Sequence, residues 1–108
     1  MNTEEFEKVV EDQFATCRRV LLFKGHEYAT EDRLHNFKVA AALQNESPEL
    51  ALAGMLAKHI VSIYDLVREE EVMMYTWEEK LGDAINYLLL LKAVVVEKSD
   101  DWVPKEQT

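Results

Sequence analysis

Two long stretches, 48–68 and 77–97, are apolar at nearly every position around a helix, and each is broken by one narrow polar line. A helix of that kind needs cover on most of its sides, so helix packed on helix is the architecture it demands. Three glycines and two prolines are too few to punctuate a many-stranded sheet, while Ala, Leu, Glu, Lys and Met supply helix formers throughout. The expected fold is all-α, a four-helix antiparallel bundle in one domain spanning 1–108.

Start and stop signals divide the chain. Asn2 or Thr3 caps a first helix over 3–23, with Glu4 and Glu5 set favourably against its dipole and Gly25 closing it. Its expected buried face is Phe6, Val9, Val10, Phe14, Cys17, Val20 and Leu21. Thr30 caps a second helix over 31–44, with Leu34, Phe37 and Ala41 as a thinner apolar face. Ser47 followed by Pro48 and Glu49 opens a third over 48–68. Thr76 and Glu79 stand in capping-box positions for a fourth over 77–97, and a polar tail occupies 98–108.

Successive helical residues rotate by about 100°, which lines up Ala51, Gly54, Lys58, Ser62 and Asp65 on the third helix. The same projection lines up Glu79, Asp83 and Asn86 on the fourth. In an antiparallel hairpin turning near Val72, Asp65 is expected level with Glu79, Ser62 with Asp83, and Lys58 with Asn86. Three carboxylates, Asp65, Glu79 and Asp83, would then meet at one end of a cleft. Such groups repel unless a cation lies among them, and a hard oxygen cage suits Mg2+, with Mn2+ as a substitute. Lys58, Ser62 and Asn86 would face phosphate oxygens, and Tyr28 and Arg33 are further candidates for contact with a bound molecule. The bland alternative assigns Glu79 to the capping box, Lys58 and Asp65 to a solvated intrahelical pair bridged by Ser62, and Asp83 with Asn86 to the cap of a neighbouring helix.

His59 lies toward the apolar side of its helix and reads as a hydrogen-bonded core histidine. His26 and His35 share no zinc-binding spacing with it, and Cys17 reads as packing. One cysteine permits no intrachain disulfide, and the N-terminus carries no signal-peptide pattern, so a cytoplasmic setting is expected. No uninterrupted apolar run reaches membrane-spanning length. A net charge of −9 argues against a nucleic acid polymer as partner, because that affinity comes from clustered Lys and Arg. A small nucleotide carried with a divalent cation is compatible with the same charge.

The runs Lys24-Gly25-His26-Glu27-Tyr28, Asn36-Phe37-Lys38, Gly54-Met55-Leu56-Ala57-Lys58-His59 and Trp77-Glu78-Glu79-Lys80-Leu81-Gly82-Asp83-Ala84-Ile85-Asn86-Tyr87 resemble small phage and prophage proteins related to the nucleotide modification associated domain. The resemblance spans roughly 24–97. More distantly, the helix bearing Glu79 and Asp83 resembles the last metal-binding helix of the MazG-like and dimeric dUTPase-like all-α nucleotide pyrophosphohydrolases. That likeness implies Mg2+-dependent release of pyrophosphate, Glu79 and Asp83 as metal ligands, Asn86 as a substrate contact, and assembly as dimers or tetramers. The chain departs from that group by carrying Lys58-His59 and Ser62 where those enzymes have a Glu-x-x-Glu pair, and by spacing Glu79 and Asp83 four apart rather than three.

Two functions are therefore expected to compete. One is a phage-type nucleotide-binding protein, either a pyrophosphohydrolase or an accessory to nucleotide modification. The other is a non-catalytic helical protein-protein interaction module. Because the third and fourth helices are apolar nearly all round, a homodimer is expected to complete their cover.

Overall fold

A computed structural model describes residues 1–27 and 32–105, with side chains for 1–23 and 32–105. Among the described residues there are four helices and no strand: α1 (Thr3–Glu27), α2 (His35–Leu43), α3 (Pro48–Arg68) and α4 (Met74–Lys98).

Local chemistry explains most of the helix ends. Asn2 caps α1 reciprocally with Glu5: the Glu5 N–H donates to Asn2 Oδ1 at 2.8 Å and the Asn2 N–H to Glu5 Oε2 at 3.2 Å. Gly25 lies inside α1, not after it, so the helix outruns the expected 3–23. The expected Thr30 cap lies outside the described residues. Asp32 does the work before α2, its Oδ1 accepting from the Leu34 N–H at 3.0 Å, and the helix starts at His35 instead of 31. Asn45 ends α2 in the left-handed region (φ 55), where the Glu46 N–H reaches Ala41 O and the Asn45 N–H reaches Ala42 O. That bond pair is a Schellman motif, and Asn is among the few side chains that accept this backbone cheaply. Ser47 caps α3 as expected, its Oγ accepting from the Leu50 N–H at 3.2 Å. The Thr76–Glu79 box is not used. The Thr76 N–H bonds Met73 O at 3.0 Å, so α4 begins at Met74 and the box falls within its first turns.

The α3–α4 hairpin is the centre of the molecule. Leu52, Leu56, His59, Ile63 and Leu66 recur at heptad spacing along α3, and Leu52 packs with Val94 and Leu34 in the core. The antiparallel course is pinned by Lys98 near the end of α4, whose Nζ lies 2.7 and 2.9 Å from the two Glu49 oxygens at the start of α3. α2 packs on α3, and Ala41 on the first and Ala51 on the second are both buried. Its approach to the end of α4 is held by Lys38 Nζ, 2.7 Å from Asp32 Oδ2 and 2.6 Å from Glu97 Oε1.

α1 runs along α4 and, among the described residues, touches no other helix substantially. With a single neighbour, only a thin line of it is covered. Cys17 is buried and Val10, Val20 and Leu21 are half-buried, but Phe6, Val9 and Phe14, expected in the core, stand exposed.

The Lys38 ammonium first and the Leu34 N–H second hold the Asp32 carboxyl below the ordinary carboxylate range, and Lys98 does the same for Glu49. A depressed folded-state pKa contributes stability above the unfolded value and loses it as pH falls through the folded one. The unfolding midpoint is therefore expected to drop below about pH 4, and Asp32→Asn should flatten part of that decline. An acid limb identical in Asp32→Asn, followed by circular dichroism, contradicts this assignment.

Candidate functional site

The two polar lines share the hairpin, but their pairing differs from the expected one. Asp83 meets His59: Oδ2 lies 3.9 Å from Nδ1, an ion-pair distance too long for a hydrogen bond. The His59 ring stacks on Tyr87, with centroids 4.8 Å apart and planes inclined by 28°. Asp83 and Tyr87 are one turn apart on α4, so both reach the same imidazole. Ser62, expected opposite Asp83, donates its hydroxyl to Lys58 O in its own helix at 3.1 Å. The hairpin register was legible, since His59–Asp83 and Glu49–Lys98 both centre the turn close to Val72. The rotation of α3 was not: His59, on the heptad line facing α4, takes the place foreseen for Ser62.

Asn86 is the buried polar residue of the described core, 9 % exposed, and its Oδ1 is enclosed without a hydrogen-bond partner. One turn before it, Gly82 faces α1, where an added Cβ would lie 3.6 Å from Gln13 Nε2. Gln13 in turn donates to Cys17 Sγ at 3.2 Å. The Asp83–Asn86 edge of α4 therefore lies between its contact with α3, through His59, and its contact with α1, through Gly82.

Among the described residues no three His, Cys, Asp or Glu side chains assemble as a group able to hold a metal ion. Asp65, Glu79 and Asp83 accordingly form no such cage within one chain. Asp65 and Glu79 are exposed, and Asp83 is half-buried beside His59. Lys58 is exposed and makes no ion pair among the described residues; it lines an open cleft of about 410 Å³ with Gly54, Met55, Ala51, Gln44 and Glu46. Arg33 belongs to a different cleft and donates from Nη2 to Leu21 O at 3.2 Å, tying the start of α2 to α1. Tyr28 lies outside the described residues. Asp83 and Asn86 share one edge of α4, and His59 and Tyr87, outside the expected set, lie beside Asp83. The signal for that pair was the spacing of Asp83 and Tyr87 opposite a histidine on the apolar side of α3.

No protein-family model, curated protein or solved structure matches the chain.

Proposed function

We propose that the chain binds a small ligand of the nucleotide class along the Asp83–Asn86 edge of α4, with His59 and Tyr87 beside it. The observation that carries this reading is the enclosed Asn86 Oδ1. Leaving a buried acceptor unpaired costs about 1–3 kcal/mol, and a donor on a ligand, an exocyclic amine or a sugar hydroxyl, would recover it where the side chains covering the oxygen part to admit it. A polar group held at that cost beside a carboxylate and an aromatic stack is the kind of convergence that marks a binding site. The nucleotide class comes from the resemblance to phage nucleotide-modification proteins. Lys58, whose ammonium makes no ion pair among the described residues, is the candidate for phosphate.

The reading is binding, not hydrolysis. Asp65, Glu79 and Asp83 do not fit a Mg2+ cage within one chain, so no step is assigned to a metal.

Calorimetry and thermal unfolding with a panel of deoxynucleoside triphosphates, with and without Mg2+, test the proposal. Ligand at a hundred times its Kd is expected to add about 2.7 kcal/mol to stability. Asp83→Ala and Asn86→Ala should each remove most of that gain. No heat and no shift with any nucleotide, or a shift untouched in both variants, would overturn it. A second reading, a non-catalytic helical interaction module, is favoured by the apolar side chains left in the open on α1 and α3. Under that reading Asp83→Ala alters stability or partner binding and no nucleotide response.

A further inference from the structure

The single chain exposes far more surface than a folded protein of its size. Its accessible area is 8897 Å² for 12.5 kDa, where the surface scaling of compact monomers gives about 6,200 Å². The radius of gyration, 16.1 Å, exceeds the about 13 Å expected for this length. The excess of about 2,700 Å² per chain is more than the about 800 Å² each partner contributes to a standard interface.

Part of that surface is ordered along α3. Besides the heptad line turned to α4, the helix carries a second one: Leu50, Ala53, Ala57, Ile60, Tyr64 and Val67, at alternating steps of three and four. All six are exposed, the four large ones from 39 % to 65 %, and none is charged. Each uncharged heptad line on a helix calls for a helical neighbour; α4 covers the first and α2 packs elsewhere on α3, and among the described residues the second line is left exposed. The order of sizes along the second line is specific. Its small residues, Ala53 and Ala57, lie in the first half and its bulky ones, Ile60 and Tyr64, in the second. Turned end for end about a point between Ala57 and Ile60, the line complements itself: Ala57 meets Ile60, Ala53 meets Tyr64, and Leu50 meets Val67. A parallel alignment would set alanine on alanine and tyrosine on tyrosine, leaving gaps at one end and crowding at the other.

We infer that α3 packs antiparallel against α3 of a second copy across a two-fold axis between Ala57 and Ile60. Large meets small at each central level, as interdigitating helices require. The contact spans about 25 Å at 1.5 Å per residue. On α4, Leu81, Leu88 and Val95 recur every seven residues and all three are exposed; Leu88 and Val95 lie on the flank turned away from the Gly82–Asn86 side, and Leu81 borders a cleft shared with Val9 and Gln13 of α1. Two hairpins meeting there form a four-helix bundle with the nucleotide-class site on the far side of each, so the inference stands independently of that site.

α3 is also long and apolar enough by length and composition to cross a membrane, with a mean hydropathy of 1.5. A bilayer is the poorer occupant. α3 carries Lys58, His59 and Asp65, and its antiparallel neighbour carries Glu79, Lys80 and Asp83, charges that lipid would have to accept at several kcal/mol each.

Sedimentation equilibrium tests the stoichiometry: a dimer at micromolar concentration is expected, with Ile60→Asp weakening it by about 100-fold or more. A wild-type monomer overturns the inference. Cysteine cross-linking tests the direction in chains whose surface is otherwise intact. In a Cys17→Ala background, Ala53→Cys combined with Tyr64→Cys should oxidise to a covalent dimer, and Ala53→Cys alone should not. The single variant cross-linking, or the double failing to, overturns the antiparallel register. The protein should also remain in the supernatant with phosphatidylcholine–phosphatidylglycerol vesicles; sedimenting with them would replace the second copy by a lipid surface.

Discussion

Leu52→Ala is expected to lower the unfolding free energy by about 2–5 kcal/mol, the range for a leucine removed from a closed core. Leu52 is among the most completely enclosed side chains of the described chain, packed with Leu34 from the approach to α2 and Val94 from α4. Few other large side chains are fully covered, so the loss falls on a small core with little to absorb it. In a domain of this length each kcal/mol moves the midpoint by roughly 4–8 °C. The variant should therefore melt about 8 °C or more below the wild type by circular dichroism. A loss under about 1 kcal/mol would mean that the site collapses freely around alanine and that Leu52 is not the centre of the core.

Asn86 carries the second large effect, and its sign depends on pH. Asn86→Asp keeps the shape and adds a carboxylate where an enclosed oxygen already lacks a partner. Burial without a cation disfavours the charged form and raises the folded-state pKa above the unfolded value of about 3.9. Destabilisation is then absent below the unfolded pKa, grows as pH rises between the two values, and is constant above the folded one. At neutral pH the cost should approach about 3–5 kcal/mol, as for other uncompensated buried charges. Asn86→Ala removes the orphaned oxygen and adds a better helix former, so it should fall within about 1 kcal/mol of the wild type or exceed it. Denaturant titrations of both variants at pH 4 and pH 8 check this. An Asn86→Asp chain as stable at pH 8 as at pH 4, relative to wild type, would show that the side chain is hydrated and would withdraw the main support for the proposed site.

The opposite expectations for these two Asn86 variants separate structural from functional roles. If Asn86→Ala is stable but has lost the nucleotide response, the amide is kept for a ligand. If it is simply less stable, the amide serves packing.

The helices were legible because each is written locally. The Ser47-Pro48-Glu49 start, the reciprocal Asn2–Glu5 cap and the apolar periodicity of 48–68 and 77–97 act within a turn or two. The misplaced ends have the same origin: Thr76 and Glu79 satisfy a local rule, but Met74 and Tyr75 extend α4 ahead of them. The hairpin register was also readable, because a short turn puts equidistant residues level.

Sequence alone determined the all-α class, four helices, an antiparallel α3–α4 pair and polar lines on both members. Only the tertiary structure decided which flank of α3 faces α4, and so that Asp83 meets His59 instead of Ser62. It also decided that α1, among the described residues, has a single helical neighbour and leaves Phe6 and Phe14 uncovered. The physical reason is that helical periodicity specifies which residues share a face, whereas the rotation of one helix against another follows from how all the side chains at their contact interlock.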